Sequence, residues 1–293
     1  MKHEHLKAGR AAVVAAGLGL GLGLCLGGCS TNPTTGRTQL NMLSRTDEIK
    51  MGIDSKPDML KEYGGEVKNA DARAYVTNLG KQLAAQTEAD NPTLPWEFTL
   101  LNSDVINAFA LPGGKVFISR GLAIKMTNEA QMAGVLGHEI GHVTAQHIND
   151  RMVRQTGLSV GAAVLGAAGG DKYGEAISAV VSQGGGLFLL KYDRGEETEA
   201  DHLGVRYMVR AHYNPHAQIE VMEILKAVAG SGGAEWTQTH PLPQTRISDL
   251  QAYIAKNYAK QAADPSYVYN QAEIQPIVAR LKSLPPAPKP QGG

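Results

Sequence analysis

The segment Gly137-His138-Glu139-Ile140-Gly141-His142 constrains this chain more than any other stretch, because it places two histidines four residues apart inside an apolar helical pattern that opens near Asn128. On an α-helix a four-residue step turns by about 40°, so both imidazoles can face one point, and the intervening Glu139 turns toward the same opening. The flanking residues support a helix: Thr127 or Asn128 can cap it, Glu129 sits in its first turn, and Met132, Val135 and Leu136 line one face. Two imidazoles with a carboxylate beside them suit a hydrolytic zinc site. The ion lowers the pKa of a water toward about 7 and polarises the carbonyl to be cleaved, and Glu139 is the base that takes the water's proton.

A catalytic zinc takes three protein ligands and leaves the fourth position to water. A third histidine ten residues after His138, with a glycine between, would define one subclass, but Ile148 and Ala145 stand there and close that option. On an unbroken helix His147 would lie about 140° beyond His142 and face away from the ion, as a supporting histidine rather than a ligand. The better candidate lies in Arg194-Gly195-Glu196-Glu197-Thr198-Glu199-Ala200-Asp201-His202-Leu203-Gly204, where Glu197 and Asp201 are four apart on one helical face. Glu197 is read as the carboxylate ligand, and Asp201 as the acceptor for the free ring N–H of a ligating histidine. Glu196 and Glu199 are the competing carboxylates. The result is a His₂Glu site with one Zn²⁺ per chain.

At the N-terminus, Lys2, Lys7 and Arg10 stand against one acid, Glu4, ahead of the uncharged run from Ala11 to Leu26. This reads as a secretory signal peptide over 1–28, since the run is glycine-rich and shorter than the roughly twenty residues of a bilayer span. Leu26-Gly27-Gly28-Cys29 resembles the lipobox of bacterial lipoproteins, which implies cleavage before Cys29 and lipidation of Cys29. Cys25 fits less well, because Leu24 is too large for the small-residue position. Ser30, rather than an aspartate, follows Cys29, and the same resemblance then implies the outer membrane, with the protein anchored there and facing the periplasm. Residues 29–39 form the lipidated cysteine and a polar tether broken at Asn32-Pro33. The 28 basic and 28 acidic side chains balance, and the pI is about 7.1, so no electrostatic footprint for nucleic acid exists.

Between tether and motif the pattern is helical from Leu40 to Leu83, with Gly64-Gly65 as an interruption, and predicts two or three helices. Three short runs follow, at Trp96 to Leu101, Val105 to Ala110 and Lys115 to Ser119, and read as strands of a small sheet. Helix dominates again from Asn128 to Tyr258. The glycine-rich stretch Gly157 to Gly186 is expected to be packed helices with a hinge at Gly184-Gly185-Gly186, and the Pro-rich tail 285–293 to be unpacked. The fold class is therefore α+β, mainly helical, with one domain over 40–284.

Four ordered segments now bear on kinship: His138-Glu139-Ile140-Gly141-His142-Val143-Thr144-Ala145-Gln146-His147, Glu197-Thr198-Glu199-Ala200-Asp201, Asn107-Ala108-Phe109-Ala110-Leu111-Pro112-Gly113-Gly114 and His240-Pro241-Leu242-Pro243-Gln244-Thr245-Arg246. Together they resemble metallopeptidase family 48, over about Leu40 to Tyr258. The chain looks like its short periplasmic lipoprotein branch, without the transmembrane helices or tetratricopeptide repeats of other members. The resemblance implies a zincin-like (gluzincin) fold. In such a fold an edge strand carrying Asn107, Ala108, Phe109 and Ala110 lines the cleft and pairs with an extended peptide through main-chain hydrogen bonds. His240 and Arg246 become candidate catalytic donors to the carbonyl oxygen, and in relatives the histidine at the position of His240 can also close on the metal as a latch. The implied activity is endopeptidase cleavage of unfolded or misassembled periplasmic and outer-membrane proteins, in contact with the outer-membrane assembly machinery. The alternative is a lipid-anchored chaperone or assembly factor whose zinc is latched or structural.

Overall fold

The computed structural model of the chain describes residues 29–88, 94–165, 191–230, 235–241 and 244–288, so the expected signal peptide lies outside the described residues. Its first feature is a small antiparallel ribbon of β1 (Cys29–Thr31) and β2 (Thr38–Leu40). The turn between them is held by Asn32, whose Oδ1 accepts from the backbone N–H of Thr34 at 2.9 Å and of Thr35 at 3.0 Å. The segment expected to be a plain tether is thus a hairpin with its own turn chemistry.

Two helices follow, α1 (Arg45–Glu62) and α2 (Ala70–Ala84), started by side-chain caps from Ser44 and Asn69. Between them Gly64 and Gly65 take φ of 75° and 80°, a left-handed turn that suits glycine. The three short runs form one sheet of β3 (Glu97–Leu101), β4 (Ala108–Leu111) and β5 (Lys115–Ser119), in the order β3-β5-β4. The central β5 runs parallel to β3 and antiparallel to β4, so β4 is an edge strand, as expected. It begins at Ala108 rather than Val105, because β5 ends at Ser119, opposite Asn107, and the Ile106 carbonyl is taken instead by the N–H of Trp236 at 3.1 Å.

The rest is helical: α3 (Arg120–Ala123), α4 (Glu129–Thr144), α5 (His147–Leu165), α6 (Arg194–Arg210), α7 (His216–Gly230), α8 (Trp236–Thr239), α9 (Gln244–Asn257), α10 (Ala259–Ala263) and α11 (Gln271–Lys282). The motif helix is α4, capped by Asn128, whose Oδ1 accepts from Gln131 N at 2.9 Å. Every α4 residue is buried, because the helix lies between β4 on one side and α6 and α7 on the other. Alternation in the sheet sorts its side chains into two apolar clusters. Ala108, Ala110, Val116 and Ile118 join the main core with α2, α4 and α7, while Phe109, Leu111 and Phe117 meet Met59, Tyr63 and Met152 on the other face.

Two expectations are refined. The glycine-rich stretch continues α5 to Leu165, and its remainder, including the hinge at 184–186, lies outside the described residues. The tail begins with contacts: Ala287 N donates to Asp104 Oδ2 at 3.1 Å, and Pro288 lies against Gly64. Among the described residues no helix is long and apolar enough to cross a membrane.

Candidate metal centre and active site

The site is built by the close approach of α4 and α6, which glycine permits. A Cβ on Gly204 would lie 2.9 Å from the His138 backbone nitrogen, and one on Gly141 would lie 2.9 Å from the Ala200 carbonyl oxygen. Backbones this close leave no room between them, so His138 and His142 project from α4 toward Glu197 and Asp201 on α6. His138 Nε2 and His142 Nε2 are 3.0 Å apart, Glu197 Oε1 is 3.5 Å from His142 Nε2, and Glu197 Oε2 is 3.7 Å from His138 Nε2. His240 completes the group, its Nδ1 2.9 Å from Glu197 Oε1 and 3.4 Å from His138 Nε2. One ligand atom from each of these four buried side chains lies within 4.8 Å of the others.

The donor set fits a divalent cation. His138 donates from Nδ1 to Asp201 Oδ1 at 2.9 Å, which leaves Nε2 as a lone pair directed at the cluster. Burial lowers the pKa of His138, and holds those of His142 and His240 well below the ordinary value, so all three rings are neutral. Neutral imidazoles with a carboxylate are the ligands that zinc takes, and lone pairs crowded together among buried side chains call for a cation among them.

Glu139, one residue along α4 from His138, is fully buried, and neither of its carboxyl oxygens accepts a hydrogen bond of good geometry among the described residues. Burial first, then the nearby Glu197 carboxylate, pushes its pKa up to about 8, with the Trp236 indole opposing. Burial likewise raises Glu197 to about 7 against the pull of Arg246. Asp201 goes the other way. Burial would raise it, but Arg246 and the His138 hydrogen bond prevail and hold it well below the usual carboxylate range. Arg246 donates to Asp201 through Nε at 2.9 Å and Nη2 at 2.8 Å, while its Nη1 reaches the Pro241 carbonyl at 3.0 Å and pairs with Glu197. Each Arg246 nitrogen is therefore engaged with a protein acceptor. Arg246, expected as a donor to the carbonyl oxygen, is placed to orient both α6 carboxylates.

The competing carboxylates sort by geometry. Glu196 closes a capping box with Asp193 and pairs with Arg154 at 2.7 Å. Glu199 meets His147 Nε2 at 2.9 Å, outside the cluster. His147 itself does not face away as an unbroken helix would require. Gln146 takes φ of 59°, the helix breaks, and His147 returns with Nδ1 2.8 Å from His142 Nδ1. Sequence reasoning also missed the aromatic walls. Tyr192 stacks on the His142 ring at 3.7 Å, Arg151 lies over the Tyr192 ring at 3.7 Å, and Trp236 stacks on His240 at 4.5 Å. Tyr192 sits just before the N-cap of α6 and carries no spacing pattern that would have marked it.

The expected peptide-binding edge is buried along all of β4. Asn107 donates to Glu235 Oε1 at 2.9 Å beside the Trp236 to Ile106 bond, so residues 235–236 lie on the approach to Ala108, Phe109 and Ala110. His138, Glu139, His142, Glu197 and His240 are each at most 2% exposed, which makes this a closed form of the site.

Comparison with known proteins agrees with this geometry. The profile of peptidase family M48 matches residues 70–254, which takes in α2, the sheet, α4 and α6. The mitochondrial metalloendopeptidase OMA1 of Schizosaccharomyces pombe is 28% identical over 256 residues, 86% of this chain and 73% of that protein. The beta-barrel assembly-enhancing protease of Escherichia coli K12 is 29% identical over 257 residues, 85% of this chain, and that of Yersinia pestis is 33% identical over 195 residues. The chain spans 51% of the length of the first of these two and 39% of the second. The chain belongs to peptidase family M48, and the domain it carries is a metalloendopeptidase domain.

Proposed function

We propose that the protein is a zinc endopeptidase of the bacterial envelope that cleaves unfolded or misassembled polypeptides, anchored through a lipidated Cys29 to the outer membrane. The observation that carries this reading is the convergence of His138, His142 and Glu197 with Glu139 buried beside them. When bound there, a zinc ion supplies a polarising charge and an acidified water. The residues do the rest. Glu139, whose carboxyl pKa burial and the nearby Glu197 push up to about 8, is the base that takes a proton and returns it to the leaving amine. Arg246 keeps Asp201 ionised and holds both α6 carboxylates in place, and Asp201 keeps the His138 ring turned with Nε2 inward. His240 is the latch of the resting state, because its Nδ1 stands among the ligand atoms. Opening requires residues 235–241 to move, which also frees the β4 edge for an extended peptide; recognition through main-chain bonds makes low sequence demand. The relatives named for β-barrel assembly support substrates among outer-membrane proteins and contact with their assembly machinery.

Metal analysis of the purified chain and a casein-cleavage assay test the reading together. About one zinc per chain is expected, and Glu139→Gln should lower cleavage by a factor of about 10²–10⁴ while zinc is retained. Cleavage by the Glu139→Gln protein at the wild-type rate would reject the assignment. A second reading, a lipid-anchored chaperone or assembly factor with a latched zinc, is favoured by the closed site alone. Full complementation of a deletion strain by Glu139→Gln would select it.

A further inference from the structure

His142 is supported, on its side away from the ligand cluster, by a chain of polar side chains that reaches the N-terminal hairpin. His142 Nδ1 lies 2.8 Å from His147 Nδ1, His147 Nε2 lies 2.9 Å from Glu199 Oε2, and Arg37 Nη2 lies 3.5 Å from the same oxygen. Arg37 also pairs with Asp150 through Nη1 at 2.7 Å and donates from Nη2 to the Ala145 carbonyl at 3.1 Å. Asn32, from the turn of the same hairpin, donates to the Thr144 carbonyl at 3.0 Å. The hairpin therefore satisfies two carbonyls at the C-terminal end of α4, where the helix itself leaves them without partners. The left-handed Gln146 just beyond is what brings His147 back against His142.

The order of donors along this chain follows from chemistry. An ionised carboxylate only accepts, so His147 carries its proton on Nε2 and donates it to Glu199. Where His147 Nδ1 is the acceptor of this pair, His142 donates from its own Nδ1. That leaves the lone pair of His142 on Nε2, the atom that faces His138 Nε2 and Glu197. The opposite order would put a hydrogen where a metal must bind. His147 is 0% exposed, so no solvent competes to scramble it.

We propose that His147, Glu199 and Arg37 are positioning residues of the metal site, which hold His142 in its metal-binding tautomer and make the hairpin directly after Cys29 part of the centre. The proposal rests on the reading of His138, His142 and Glu197 as ligands. It links the N-terminal hairpin to the metal site through the Arg37–Glu199 pair.

The test is the zinc dissociation constant of the purified full chain, measured by competition with a chromophoric chelator, for wild type, Glu199→Gln, Glu199→Asp and Arg37→Met. Gln keeps the shape of Glu but can donate to His147 Nε2 and so permits the reversed order. Glu199→Gln should weaken zinc binding about 10–100-fold, and Arg37→Met about tenfold. Asp, still an acceptor, should recover part of the loss. The cobalt-substituted Glu199→Gln protein should also show a shifted d–d absorption band, which a remote structural defect would not produce. Melting of the metal-free proteins reports on folding, and Arg37, 37% exposed at its side chain, carries the test if Glu199→Gln does not fold. Affinities within twofold of wild type for both Glu199→Gln and Arg37→Met overturn the proposal. An unchanged Arg37→Met beside a weakened Glu199→Gln removes the hairpin from the centre. A wild-type protein that binds no zinc refutes the ligand reading instead.

Discussion

Arg246 illustrates how a single residue sets the charge state of a buried site. Its guanidinium is planar and forked, so it can serve two carboxylates on neighbouring turns of α6 at once, as a lysine could not. Removing one member of such a buried set costs about 3–5 kcal/mol, because the others are left charged without a partner. A second ionic group, at the sheet, makes a pH-dependent prediction away from the metal. Glu97 accepts from Lys115 at 2.8 Å and Lys56 at 2.5 Å; burial would raise its pKa, but the two lysines prevail and lower it. Its folded-state pKa therefore lies below its unfolded value of about 4.3, so its contribution is complete above that value and is lost as pH falls through the folded one. Glu97→Gln should flatten the fall of Tm below about pH 4.5, read by melts across pH 3 to 7. Equal slopes in the two proteins would show that Glu97 carries no linkage. At this scale much of the site was legible in the sequence. His138, Glu139 and His142 follow from helical spacing alone, and Glu197 with Asp201 follows from the same spacing on a second helix. His147 was misdirected because the spacing argument assumed a continuous helix, and the left-handed Gln146 has no signal of its own.

Between elements, the decisive contact is α4 on α6. The two backbones approach through Gly137, Gly141 and Gly204, and that approach sets the distance at which imidazoles and carboxylates meet. Gly204→Ala places a methyl group 2.9 Å from the His138 nitrogen and 3.1 Å from the Gly137 carbonyl carbon, both backbone atoms that cannot swing aside. The variant should lose about 1–3 kcal/mol of stability by overpacking, and its zinc affinity should fall with it, since Glu197 and Asp201 would retreat from the histidines. Denaturant unfolding of the metal-free protein checks the first part, and chelator competition the second. Wild-type values in both would mean that the helices can separate without consequence. The cap and period of α4 were readable because Asn128 marks its start by local chemistry, whereas α1 and α2 were legible only as a helical stretch from Leu40 to Leu83 and their caps at Ser44 and Asn69 emerged with the structure. The three strands were readable in existence but not in order. That β5 lies between β3 and β4 depends on pairing between distant segments, which no local pattern records.

For the whole molecule, metal binding should be worth stability, since the ligands come from three separate segments that unfolding disperses. A ligand at a hundred times its dissociation constant adds about 2.7 kcal/mol, so zinc should raise Tm by about 5–10 °C over the protein stripped with a chelator. Identical melts with and without zinc would argue that the cluster holds no ion. By itself the sequence determined the class of the protein: a mainly helical fold, a motif helix with two histidines and a glutamate between them, and a partner helix with an acidic pair. These are properties of spacing along one helix, and a helix has a fixed pitch. Only the tertiary structure decided how close His240 stands to His138 and Glu197, that Arg246 serves the protein's own carboxylates, that Tyr192 backs His142, and that the hairpin beginning at Cys29 caps the motif helix. These contacts join residues far apart in the chain, and their geometry is set by how closely packed helices can approach rather than by any local preference.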